Sequence, residues 1–105
     1  MARISAVVAD LILASRVQTA LQAAGHEVER DFSLPNELDG FDLVVADLDV
    51  VQPEELAGAG LPAIGFYQHT DVETKRRADE AGLAIAVPRS RMVRELPELV
   101  ERVLG

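Results

Sequence analysis

Three aspartates are the residues of this chain whose type and spacing could do chemistry: Asp10, Asp47 and Asp49. Asp47 closes the run Phe41-Asp42-Leu43-Val44-Val45-Ala46-Asp47-Leu48-Asp49. An apolar run bounded by turn signals reads as a strand buried on both faces. Such a strand does not keep an unpartnered carboxylate in its middle, so Asp47 marks the end where the sheet opens to water. Strand carboxyl ends are where open α/β sheets bind ligands. A carboxylate at that rim either does chemistry or accepts bonds from loop amides or from a cation such as Arg89. Asp10 follows the first apolar run and precedes a helical pattern, so it either binds a metal or caps the helix. The side chain of Asp49 reads as a solvated loop group.

The elements that must position these residues follow from periodicity and punctuation. Arg3 to Ala9 reads as a strand. Leu13, Val17, Ala20, Leu21 and Ala24 make one face of a helix that Gly25 stops. His26 to Phe32 alternates around Val28, as an edge strand does. Ser33 to Asp39 predicts a turn or two of helix, with Ser33 as N-cap and Pro35 early. Pro53-Glu54-Glu55-Leu56 opens a short helix that ends in Gly58 and Gly60. Leu61 to Phe66 is the fourth strand. Thr70 and Glu73 match a capping box for a helix running to Ala81 and ending at Gly82. Leu83 to Val87 is the fifth strand, closed by Pro88. Leu96, Leu99, Val100, Val103 and Leu104 form the apolar face of a closing helix that starts at Pro97.

Strands thus alternate with helices along a single domain, residues 1–105. That pattern predicts an α/β fold with a parallel sheet, helices on both faces and right-handed crossovers. The second crossover, Ser33 to Gly40, is short for a helical connection between parallel strands.

Composition narrows the function classes. A net charge of -8 and a pI near 4.6 argue against duplex nucleic acid and anionic membrane as partners. There is no cysteine, which removes disulfides and thiolate metal sites and fits a reducing compartment. The apolar run after Met1 is too short for a signal segment, and none reaches membrane-spanning length. A soluble cytoplasmic protein is expected. The first strand is followed by Asp10-Leu11-Ile12-Leu13 in place of a glycine-rich loop, so a dinucleotide site is not expected.

Taken together, the acid after strand one, Phe41 to Asp47 at strand three, Leu61-Pro62-Ala63-Ile64-Gly65 at strand four and Glu80-Ala81-Gly82 before strand five resemble the receiver domain of two-component response regulators. The resemblance spans the whole chain. It implies a flavodoxin-like three-layer sandwich with a five-stranded parallel sheet in the order 2-1-3-4-5, so that Asp10 and Asp47 meet where strands one and three adjoin. It implies phosphoryl transfer to Asp47, and Mg²⁺ held by Asp10, Asp47 and the backbone carbonyl of Asp49. A hard cation of this kind takes oxygen ligands and offsets charge repulsion when a carboxylate attacks a phosphoryl group.

The sequence also departs from that family. Ala9 stands where a second acid is usual. Tyr67 stands where the family carries Thr or Ser at the end of strand four. The lysine before the proline of strand five is absent, the text being Val87-Pro88-Arg89-Ser90, and Arg89 is the nearest cation. Arginine is no direct substitute, since its planar fork and longer reach place charge differently. Arg89 is expected either to hold Asp47 in a permanent salt bridge, imitating a charged switch state, or to point into water.

The expected function is therefore a stand-alone atypical or pseudo-receiver, a signalling and protein-interaction module rather than an enzyme, with phosphorylation switching impaired or absent. Its output would pass to a protein partner, or to a second copy, through the face made by the fourth helix, fifth strand and fifth helix, here Val72 to Arg77 and Leu96 to Leu104. One alternative is a working Mg²⁺-dependent phosphoacceptor. Another is a small haloacid-dehalogenase-type phosphatase, because Asp47-Leu48-Asp49 also resembles that family's Asp-x-Asp opening; the motif sits mid-chain here, without the family's later motifs. Tyr67 reads as a core-edge aromatic with a wet hydroxyl. His69 is a crevice-mouth residue, either solvated or a pH sensor. His26 reads as a loop residue, and Lys75-Arg76-Arg77 as a solvated or partner-facing helix surface.

Overall fold

A computed structural model describes all residues, 1–105. Five strands form one parallel sheet: β1 (Arg3–Val7), β2 (Glu27–Asp31), β3 (Leu43–Asp47), β4 (Ala63–Tyr67) and β5 (Ile85–Pro88). Their order is β2-β1-β3-β4-β5. The helices are α1 (Leu11–Ala23), α2 (Pro53–Ala57), α3 (Val72–Ala81) and α4 (Arg89–Leu104). The expected three-layer sandwich and strand order are both present. No helix is long and apolar enough to cross a membrane.

Strand composition explains the order. β3 and β4 are buried along their whole length, as central parallel strands must be. β2, Glu-Val-Glu-Arg-Asp, is exposed except at Val28 and sits at an edge. The two faces of the sheet carry separate cores. On one, α1 and α4 bury Leu13, Val17, Leu21, Met92, Leu96 and Leu99 against Ile4, Val45, Ile64 and Phe66. On the other, α2 and α3 contribute Leu56 and Ala78 over Val44, Ala46 and Tyr67. Alternate residues of β3 therefore serve opposite cores, Val45 one and Val44 with Ala46 the other.

Three elements differ from the sequence-based expectation. Ser33 to Asp39 forms no helix. The link from Phe32 to Asp42 stays irregular and covers the sheet with Leu34 and Leu38 alone. Helix α3 is capped by Asp71 rather than Thr70. Oδ1 of Asp71 accepts the amide of Thr74 at 3.1 Å, and Oδ2 accepts the Thr74 hydroxyl at 2.5 Å. A carboxylate serves both donors at once, which the Thr70 hydroxyl cannot. The closing helix starts at Arg89, well before Pro97, which lies inside it. An interior proline costs about 3 kcal/mol. Burying Met92, Leu96, Leu99 and Val100 outweighs that, at about 1.5–3 kcal/mol each.

The start of β3 is anchored to β1 through Arg3. Its amide donates to Asp42 Oδ2 at 2.9 Å, and its carbonyl accepts the Asp42 amide at 2.8 Å. Its guanidinium lies 4.5 Å from the Phe41 ring centre and pairs with Glu29 of β2 at 2.6 Å. Gly40 is needed here. Its φ is +86°, and a Cβ would meet Arg3 Nη1 at 2.8 Å. His26 is more than a loop residue, since its Nδ1 accepts the amide of Ala2 at 3.1 Å and ties the start of β1 to the β2 edge.

Candidate functional site

β1 and β3 are hydrogen-bonded neighbours, with Val7 opposite Ala46. This register brings Asp10 and Asp47 to the same rim, and the charge of Asp10 acts on Asp47. Asp47 is the last residue of β3 and is only 9% exposed. Its Oδ1 accepts the Asp49 amide at 2.9 Å, and its carbonyl accepts the amides of Val50 and Val51. Its Oδ2 accepts no hydrogen bond from the protein. Burial pushes the Asp47 carboxyl above its ordinary value; the Asp49 amide opposes this, and the Asp49 charge adds to it.

Asp10 is the N-cap of α1. Its Oδ1 accepts the amides of Ile12 at 2.9 Å and Leu13 at 3.1 Å. Its Oδ2 accepts Nη2 of Arg89 at 2.8 Å. The Leu13 amide first, then Arg89, holds the carboxyl below its ordinary value. The expected pairing of Arg89 with Asp47 is therefore corrected. The first residue of α4 reaches across to the first turn of α1 and meets Asp10, and its charge acts on Asp47 only at longer range.

Tyr67 ends β4 opposite Pro88 and is buried in the α2–α3 core. At the end of β4 it supplies a packed aromatic rather than a small mobile hydroxyl. The Asp49 side chain is exposed, and it is the amide of Asp49, not its carboxylate, that meets Asp47. His69 is exposed on the β4–α3 loop, and Arg16 of α1, which the sequence reading passed over, is exposed nearby. The basic cluster on α3 is neutralised locally. Lys75 pairs with Asp79 and Arg76 with Glu73 and Glu80, while Arg77 reaches Glu54 of α2 at 2.5 Å.

The donor set does not fit a divalent cation. No three His, Cys, Asp or Glu side chains gather at metal-ligand spacing. Both oxygens of Asp10 are already bonded, one of them to a guanidinium that stands where positive charge beside a cation would be repelled. What remains is one Asp47 oxygen and the backbone carbonyl of Asp49.

No family model matches this sequence, and neither does any curated protein. Solved structures do match its fold. A response regulator receiver domain protein of Clostridium thermocellum superposes with a TM-score of 0.84 at 14% identity, over 99% of this chain and 94% of that one. The non-phosphorylated HemR receiver domain of Leptospira biflexa gives 0.82 at 24% identity, over 100% and 95%. A chemotaxis response regulator of Vibrio cholerae gives 0.81 at 22% identity, over 99% of each chain. The fold is thus that of response regulator receiver domains, the flavodoxin-like arrangement that the resemblance implied.

Proposed function

We propose that this chain is an atypical receiver-like domain that acts by binding a protein partner, with phosphorylation switching impaired or lost. The observation that carries the reading is the Asp10–Arg89 pair. In the receiver pattern, the acid after strand one serves a metal and the cation after strand five serves the phosphoryl group. Here Asp10 commits both oxygens to the α1 amides and Arg89, and Arg89 is turned to Asp10 rather than to Asp47, so neither group is placed for its usual task at Asp47. Ala9 in place of a second acid and the buried Tyr67 at the end of β4 support the same reading. A binding rather than catalytic role agrees with the exposed Asp49 carboxylate, which makes no bond to Asp47.

The partner surface in this proposal is the face of α3, β5 and α4, the counterparts of the fourth helix, fifth strand and fifth helix. Val72 and Leu104 are exposed there. The face lies on elements that the Arg89 contact joins to α1.

Incubation with acetyl phosphate and Mg²⁺, followed by intact mass measurement, tests the proposal. No covalent phosphoryl adduct is expected on the wild type. An adduct that Asp47→Asn abolishes would sink the reading in favour of a working phosphoacceptor.

A further inference from the structure

A cleft of about 420 Å³ opens beside the Asp10–Arg89 pair, between α1, the β4–α3 loop and the start of α4. Arg16, Gln68, His69, Arg89, Ser90 and Val93 line it. No carboxylate does, although the chain carries 18 acidic residues against 10 Lys and Arg. Seven of those 10 cations pair with a carboxylate, and Arg16 is not among them. Arg89 gives Nη2 to Asp10, so its Nε and Nη1 donors have no acceptor in the protein. Pro88 caps α4 without a side-chain bond, so the first-turn amides beside Ser90 have no capping oxygen.

We propose that this cleft binds the phosphate group of a small phosphomonoester. Two guanidinium forks suit a tetrahedral dianion, and each offers paired donors. Gln68, His69 and Ser90 add an amide, an imidazole and a hydroxyl. The positive end of α4 adds to a field that the two arginines already set. The volume lies within the range of small-ligand sites and exceeds what a bare oxyanion needs. Asp10 is the competitor, since an anion that draws Arg89 into the cleft loosens its bond to Asp10. The inference is independent of whether Asp47 accepts a phosphoryl group.

Amide NMR titration of the full chain with glycerol 2-phosphate tests it, against potassium chloride matched for ionic strength. Saturable shifts are expected at Arg16, Gln68, His69 and Ser90. Loss of one charge-assisted contact in Arg16→Ala should weaken binding about tenfold. Arg102→Ala removes another cation without a carboxylate partner, in the last turn of α4, and should leave binding unchanged. Asp47→Asn, which cannot accept a phosphoryl group, should still show saturable binding in the cleft, which separates this result from the test of the proposed function. Shifts that track ionic strength alone, or equal binding by the Arg16 and Arg102 variants, would overturn the site. Inorganic phosphate binding as tightly as the ester would overturn its assignment to an ester.

Discussion

Arg89 Nη2 lies 2.8 Å from Asp10 Oδ2, joining the first residue of α4 to the N-cap of α1 across 79 positions of sequence. The contact closes one side of the strand-end rim. It leaves Asp47 with the Asp49 amide as its side-chain hydrogen-bond partner.

Removing the guanidinium should raise both carboxyls. In Arg89→Ala, Asp10 loses a bond that holds its carboxyl down, and Asp47 loses a favourable charge. Carbon-detected NMR titration of the two side chains should show each protonating at higher pH than in the wild type. An unchanged Asp10 would mean that the pair does not persist in solution. Thermal stability should hardly change, because both side chains are partly exposed and solvent screens the pair.

Asp47 should limit stability at neutral pH. Its folded carboxyl sits above the ordinary value of 3.8, so the folded state holds that proton more tightly than the unfolded chain does. Its contribution is therefore most favourable below the ordinary value. It is lost as pH rises through the folded value, and at neutral pH the buried charge is carried in full. Asp47→Asn keeps an oxygen for the Asp49 amide and removes the charge. Urea denaturation should find the variant more stable than wild type at about pH 7, with the gap closing by about pH 3.

Gly65 should resist substitution because of Leu48. A Cβ at Gly65 would meet both Leu48 methyl carbons at 2.9 Å, and Leu48 immediately follows Asp47. Overpacking of this kind costs about 1–3 kcal/mol. Gly65→Ala should destabilise by that amount and disturb the Asp47 turn. Adding Leu48→Ala should recover part of the loss, and additive effects in that double-mutant cycle would reject the contact.

Pro97→Ala should stabilise α4. Pro97 has no amide to donate within the helix, and alanine restores that bond. A gain of about 1–3 kcal/mol is expected, reduced by the greater freedom of alanine in the unfolded chain. Calorimetry should record a higher Tm.

The same proline shows where sequence reading failed. Its local signal marked a helix start, yet the burial of Met92 and its neighbours decided the outcome, and burial depends on the sheet being assembled. Which strands are central and which is an edge, by contrast, was legible, while the full order 2-1-3-4-5 followed from the receiver resemblance. β3 is apolar up to its last residue, Asp47, β4 carries no charge, β2 is polar on nearly every residue, and only central and edge positions suit those patterns. Asp47 was legible as a strand end because an ionised group cannot sit unpartnered inside such a strand. The partner of Arg89 was not legible, since two carboxylates share one rim and periodicity does not say which the side chain reaches. The cleft beside it escaped notice for a related reason. Arg16, the adjacent Gln68 and His69, and Ser90 come from three separate segments, with no motif to join them.

The link from Phe32 to Asp42 does with two leucines what a whole helix would otherwise do. Leu34 and Leu38 meet the sheet through their side chains, and the one backbone bond of these two residues, the Phe41 amide to the Leu38 carbonyl at 3.1 Å, stays within the link rather than joining a ladder. Opening this flap therefore requires little cooperative melting, and water reaches Val44 and Ala46 once it lifts. Local breathing is expected to begin there, with limited proteolysis cutting first in the same link while the helices stay intact.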